Sequence, residues 1–280
     1  MSQEIELKLA LGNEGAESLC CHSRLSTLQA ETQRLANTYF DTPQGDLEAA
    51  RMALRLRCRN DRWIQTLKTS GKASGGMSHR GEWEWTVAGP ELDREGLAAL
   101  PPLAELGASV LDRLTPRFTT DFQRRLWLLD HAGATIEVAL DQGEIRTAGH
   151  AVPIRELELE LKRGNPDALW ELAVGLAETI PLRPADASKA ARGSALLAGH
   201  WTLPEGDTAS ERLHHAILAL DALGDTGNDT WRMTARDAFR QLAENGETEA
   251  GALAAMLDEP DWLSIDFGRQ ALRLAHRLAP

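Results

Sequence analysis

Two stretches far apart in the chain share one alternation, and that alternation restricts the fold more than anything else in the sequence. The first, Glu4-Ile5-Glu6-Leu7-Lys8, stands at the start; the second is Arg155-Glu156-Leu157-Glu158-Leu159-Glu160-Leu161-Lys162. A period of two is the period of an extended strand, in which side chains at i and i+2 share a face about 6.6 Å apart. Glu4, Glu6 and Lys8 therefore share one face while Ile5, Leu7 and Leu9 share the other. A single pentapeptide of this kind reads as an ordinary strand with its polar side to water. Two such strands, the second with three glutamates on one face, need a common explanation. Carboxylates about 4 Å apart repel by roughly 4 kcal/mol at an effective dielectric of about 20, so gathered glutamates demand cations.

The rest of the chain supplies more strands. Asn13 is a plausible N-cap for a helix from Glu14 onward. Strand-like pieces follow at Leu35 to Phe40, Met52 to Arg59, Trp63 to Lys68, His79 to Val87, Phe118 to Leu129, Thr135 to Leu140 and Glu144 to Thr147. Asp41 to Gly45, Asn60-Asp61 and Asp141-Gln142-Gly143 read as turns between them. In Met52 to Arg59, Leu54, Leu56 and Cys58 oppose Arg55, Arg57 and Arg59; taken alone, that arginine face reads equally well as a solvated edge. In His79 to Val87, glutamates alternate with Trp83 and Trp85, and parity puts the tryptophans on the outer face. Pro90 to Leu114 is a helical or irregular excursion, and Pro166 to Thr179 an outer helix. Roughly eight short strands joined mostly by turns fit an antiparallel sheet or barrel. From about residue 207 the pattern becomes helical: Leu213, Ile217 and Leu220, then Trp231 to Leu242, Ala252 to Leu257 and Ile265 to Leu278. This region reads as a separate all-helical appendage.

Composition removes several functions. With 42 acidic against 30 basic residues the formal net charge is -12, which argues against a general nucleic-acid binder. Cys20, Cys21 and Cys58 form no metal-ligand spacing, no apolar run reaches the ~20 residues that span a bilayer, and the acidic start is no signal peptide. The expected location is cytoplasmic, with no membrane or nucleic-acid partner. Ser70 to Gly76 is glycine-rich but lacks the G-x-x-x-x-G-K-[ST] spacing, so a mobile loop at the mouth of the site is expected there. His214-His215 fit a surface or packing role better than metal ligation.

The charged faces taken together suggest a ligand. Glu4, Glu6, Glu156, Glu158 and Asp141 offer the hard oxygens that Mg²⁺ or Mn²⁺ prefers, while Lys8, Arg55, Arg57, Lys68, Arg124 and Lys189 offer donors to several phosphates. A metal-bound polyphosphate answers both sets.

These residues resemble the signature of the CYTH domain, or triphosphate tunnel metalloenzymes. The matches are Glu4-x-Glu6-x-Lys8, Leu54-Arg55-Leu56-Arg57, Thr66-Leu67-Lys68, Arg124-x-x-Trp127, Ile136 to Asp141, Glu156-x-Glu158-x-Glu160 and Ser188-Lys189-x-x-Arg192, in the family's order. The resemblance implies an α+β fold: an eight-stranded antiparallel β-barrel tunnel with outer helices over residues 1–202, then a small all-α region over 207–280. It implies a metal-dependent inorganic triphosphatase that cleaves tripolyphosphate to pyrophosphate and phosphate. The alternatives are a thiamine or nucleoside triphosphatase, an adenylate cyclase of the same fold, and a polyphosphate-binding module without turnover. By position, Glu4, Glu6, Asp141, Glu156, Glu158 and Glu160 would hold Mg²⁺ or Mn²⁺. Lys8, Arg55, Arg57, Lys68, Arg80, Arg124, Lys189 and Arg192 would bind phosphates. Lys8, with Glu4 and Glu6, would be catalytic, and Glu82 and Glu137 supporting. The tail resembles the start of the CHAD helical domain, shortened, and is expected to serve packing or homodimer contacts.

Overall fold

Period-two patterns become strands here because one face of each can be buried against helices while the other turns inward. In the computed structural model, residues 2–59, 62–69 and 72–279 are described, except for the side chains of residues 2, 3, 72, 73 and 80. The turn expected at Asn60-Asp61 and the first residues of the expected glycine-rich loop, Ser70 and Gly71, lie outside the described residues.

The strands are β1 (Ser2–Leu11), β2 (Glu31–Asp41), β3 (Met52–Arg59), β4 (Arg62–Thr69), β5 (Lys72–Ser74), β6 (Met77–Val87), β7 (Thr115–His131), β8 (Ala134–Thr147), β9 (His150–Arg163) and β10 (Leu182–Pro184). They pair in the order β10-β1-β9-β8-β7-β2-β3-β4-β6-β5, and β6 pairs back onto β1 with Glu4 opposite Arg80. Eight antiparallel strands thus close a ring, with β5 and β10 as short additions. Closure removes the open edges that a sheet otherwise exposes.

One expected turn is a strand instead. Asp141-Gln142-Gly143 lies within β8, in continuous register with β7 and β9. Gly143 faces Phe122 so closely that a Cβ would run into Phe122 and the Asp121 carbonyl. The glycine serves a close strand approach and not a reversal.

The helices are α1 (Gly15–Cys21), α2 (Asp46–Ala49), α3 (Arg94–Ala98), α4 (Pro101–Leu106), α5 (Ala108–Asp112), α6 (Asp167–Leu176), α7 (Lys189–Ala198), α8 (Ala209–Thr226), α9 (Asp229–Glu244), α10 (Ala250–Met256) and α11 (Ile265–Leu278). Three apolar clusters hold them. Outside the barrel, Leu54 and Leu67 meet Leu97, Leu103 and Leu111, with Trp83 and Trp85 packed on them. Leu35, Tyr39, Phe118, Phe122, Ile145 and Ile154 form a second cluster, with Ala190 and Leu196 of α7 against it. By strand parity this cluster fills one end of the barrel interior, and Gly193 lies so close to Phe118 that any side chain there would overlap the ring.

The third cluster joins barrel to tail. Leu7, Leu9 and Leu159 share one continuous core with Leu172 of α6, Leu220 of α8, and Phe267, Leu272 and Ala275 of α11. The expected separate appendage therefore shares one continuous core with the barrel wall. The glycine-rich turn is equally tied down: Ser74 Oγ lies 2.9 Å from Ser210 Oγ, and a Cβ on Gly75 would stand 2.9 Å from that of Ala275. Ser74 to Gly76, the end of the mobile loop expected at the tunnel mouth, is buried beneath the tail.

Candidate active site

Strand parity brings the charged faces to one place. Glu4, Glu6 and Lys8 of β1, Arg55 and Arg57 of β3, Lys68 of β4, Glu82 and Glu84 of β6, Arg124 of β7, Glu137 of β8 and Glu158 and Glu160 of β9 all line a cavity of about 400 Å³ inside the barrel. Lys189, the first residue of α7, enters from the apolar end. Cross-strand register stacks the groups in layers, with Arg124 opposite Asp141 and Asp141 opposite Glu156. The next layer sets Lys8 opposite Glu158, and the one beyond sets Glu6 opposite Glu160.

At the deep end the charges pair closely. Arg124 donates Nε to Asp141 Oδ1 at 2.7 Å and Nη2 to Asp141 Oδ2 at 2.6 Å, and also reaches Glu158. Lys189 Nζ lies 2.6 Å from Asp141 and 3.1 Å from Glu158, and donates to Glu156. Both cations rest on the ring of Phe122, at 5.8 and 5.0 Å from its centroid. Burial pushes the Glu158 carboxyl up, but Lys189 and Arg124 outweigh it and hold the group well below the usual carboxylate range. Burial likewise works against the Lys189 ammonium, and Asp141, Glu156 and Glu158 overcome it and raise its pKa.

Toward the mouth the pairing is looser. Lys68 Nζ sits 2.9 and 2.7 Å from the two oxygens of Glu4, and 3.6 Å from Glu82. Arg55 Nη2 is 3.9 Å from Glu82, and Lys8 Nζ is 3.7 Å from Glu6. Lys162 bridges Glu160 at 2.8 Å and Glu137 at 3.4 Å. Burial pushes the Glu160 carboxyl up.

One wall is rich in unanswered positive charge. Arg55 Nε is buried without an acceptor. Arg57 donates Nε to Asn37 Oδ1 at 2.7 Å, an uncharged partner, and its pKa is lowered to about 9 by burial and by the neighbouring Arg55 and Arg124. A buried donor left unmade costs about 1–3 kcal/mol, and packed guanidinium groups repel, so this wall is built to receive an anion.

Asp141, Glu156 and Glu158 bring carboxylate oxygens within 4.8 Å of one another. Hard oxygen donors at that spacing fit a divalent cation of the Mg²⁺ or Mn²⁺ class. Arg192 sits apart from the wall: it grips Asp225 of α8 at 2.6 Å and the Pro153 carbonyl at 2.6 Å, and reaches Glu156 only at 3.6 Å. The side chain of Arg80 lies outside the described residues. Arg125 turns outward to Cys20 and lies over Trp127.

Four contributors were not singled out from sequence. Glu84 accepts a hydrogen bond from Thr66, Asn37 orients Arg57, Phe122 floors the site, and Lys162 spans two glutamates. Parity with Glu82, Arg124 and Glu160 could have found three of them. Asn37 carries no such signal, because its partner Arg57 belongs to the next strand.

Comparison with known proteins agrees with this geometry. An inorganic triphosphatase of Haemophilus influenzae is 37% identical over 199 residues, which is 69% of this chain and 54% of that protein. The chain thus spans about half the length of the curated relative it matches. In fold, a Hippeastrum protein described as an adenylyl cyclase with a dominant triphosphatase activity superposes with a TM-score of 0.54 at 23% identity, covering 71% of this chain and 97% of that one. The CYTH domain matches residues 2–194. The chain belongs to the CYTH domain family.

Proposed function

We propose that the barrel hydrolyses inorganic triphosphate to pyrophosphate and phosphate with the help of Mg²⁺ or Mn²⁺. The observation that carries this reading is the cationic wall of Arg55, Arg57 and Arg124, completed by Lys8, Lys68 and Lys189, facing Glu4, Glu6, Glu158 and Glu160 across one cavity. A linear polyanion with bound metal satisfies both sides at once. The H. influenzae relative supports the same activity.

The lining favours the bare triphosphate over its esters. Its aromatic residues are Tyr39 and Phe122, both buried, and Phe122 lies beneath Arg124 and Lys189. Trp83 and Trp85 pack outside against the helices after β6. Among the described residues no aromatic face at the mouth offers a base or a thiazole ring a stacking platform.

Glu4, Glu6, Asp141, Glu156, Glu158 and Glu160 are the residues that would hold divalent metal, which supplies neutralisation of phosphoryl charge. The protein's own groups do the rest. Arg55 offers its unpaired Nε and Arg57 its guanidinium to non-bridging oxygens, fixing the chain of phosphates along the tunnel. Arg124 and Lys189, already preorganised by Asp141, face the charge that develops during phosphoryl transfer. Lys8, between Glu6 and the layer of Glu158, is the proton-handling group for the attacking water. Lys8→Met is then expected to lower kcat by about 100-fold, the usual range for general acid–base groups. A loss of affinity at unchanged kcat would make Lys8 a phosphate clamp.

The test is phosphate and pyrophosphate release from tripolyphosphate, ATP and thiamine triphosphate side by side, with and without Mg²⁺ or Mn²⁺. Tripolyphosphate should yield equal amounts of the two products, should be turned over faster than either ester, and should stop reacting on chelation. Binding without release from any of the three would leave a polyphosphate-binding module.

A further inference from the structure

Lys189 reaches the site at the end of a segment with little structure of its own. Only Leu182–Pro184 pair with β1, and α7 begins at Lys189 after an irregular link. What fixes that link is a carboxylate on the helical tail. Asp221 of α8 is 7% exposed, and both of its oxygens are engaged. Oδ1 accepts from Arg183 Nη1 at 2.6 Å, while Oδ2 accepts the backbone N–H of Asp186 at 2.9 Å and of Ala187 at 2.8 Å. Two consecutive peptide N–H groups on one oxygen leave the link little rotational freedom, two residues before Lys189.

The same link holds Lys8. Ala185 donates its N–H to the Lys8 carbonyl at 3.0 Å, and the Lys8 N–H donates to Gly76 O at 2.9 Å. Gly76, at φ +91, is close enough that a Cβ would meet the Lys8 oxygen at 2.7 Å. Gly76 in turn donates its N–H to Asp186 Oδ1 at 2.5 Å, and the second Asp186 oxygen lies 2.7 Å from His214 Nδ1 of α8. Two successive turns of α8, through His214 and Asp221, thus grip the main chain that presents both lysines.

We infer that Asp221 is a positioning residue for the triphosphate site, acting through the Ala185–Ser188 link on Lys189 and, through Ala185, on Lys8. The inference rests on the proposed triphosphatase reading and adds to it a residue beyond the part of the chain that matches the family, residues 2–194. The tail then belongs to the active site by support, without touching substrate.

A double-mutant cycle on the full chain tests this, with tripolyphosphate as the probe. Asp221→Asn keeps the side-chain shape and one acceptor but removes the charge that holds Arg183. It is expected to raise KM about tenfold with a smaller change in kcat, and to have a clearly smaller effect in a Lys189→Met background, where only the route through Lys8 remains, the non-additivity of residues that act as one unit. His214→Ala, a milder cut in the same brace, should show the same dependence on Lys189 and carries the cycle if Asp221→Asn does not fold. Equal losses with and without Lys189, or an unchanged KM in a folded variant, would overturn the positioning role. A wild-type protein that neither binds nor cleaves tripolyphosphate would overturn the underlying reading, and this inference with it.

Discussion

Arg55 and Arg124 both face the tunnel, yet their removal should have opposite consequences. Arg124 is the bidentate partner of Asp141, which is fully buried, so Arg124→Met leaves a carboxylate short of its main partner. Breaking a buried pair from one side costs about 3–5 kcal/mol, and the ligand-free protein should melt several degrees lower. Arg55 has a buried nitrogen without an acceptor and repels Arg57. Arg55→Met should leave the melting temperature of the ligand-free protein unchanged or raised, while kcat/KM for tripolyphosphate falls by at least about tenfold. A drop in stability equal to that of Arg124→Met would contradict the anion-receiving role of this wall. His214 gives a pH signature. Burial works against its charge, but Asp186 and then Asp221 raise its pKa above the ordinary 6.5. Its stabilising effect is therefore full below pH 6.5 and is lost as pH rises through the folded-state value. Thermal stability should fall over that window, and His214→Ala should flatten the fall.

At the scale of elements, period two made the inner face of each strand legible: Glu4, Glu6, Lys8, Arg55, Arg57 and Lys68 all occupy the positions that alternation assigns. Where a glycine stood in a strand, local reading misled, because Asp141-Gln142-Gly143 has the composition of a turn and only the neighbouring Phe122 shows why it is not one. The brace on α7 was illegible for a different reason. Asp221 stands between Leu220 and Ala222 as the one polar residue of the apolar stretch 216–224 of its helix, and its partner Arg183 lies 38 residues away. Nothing local links them. Helix α7 itself should be sensitive to bulk: Gly193→Val would force the helix off Phe118, and with it displace Lys189. The expected result is a destabilisation of about 2 kcal/mol or more, with raised KM; wild-type affinity in that variant would mean that α7 does not set the lysine's position.

For the whole molecule, the continuous core is the feature that changes expectation most. Leu7 and Leu9 of β1 face outward into the same apolar cluster as Leu220, Phe267 and Leu272, so the strand that carries Glu4, Glu6 and Lys8 is backed by the tail. Deleting residues 208–280 would expose that face and remove Asp221 and His214 together. The truncated protein should lose cooperative unfolding, bind hydrophobic dyes and lose hydrolysis, whereas a soluble truncated barrel with wild-type rates would show the tail to be dispensable. The triphosphate is expected to bind inside the barrel. The direct measurement is a crystal structure of the full chain with tripolyphosphate and a divalent metal. Phosphate density inside the barrel, within hydrogen-bond reach of Arg55, Arg57, Arg124 and Lys189 and with metal on the glutamates opposite, is the result expected. Tripolyphosphate bound anywhere outside the barrel, with these side chains still paired only to one another, would contradict it.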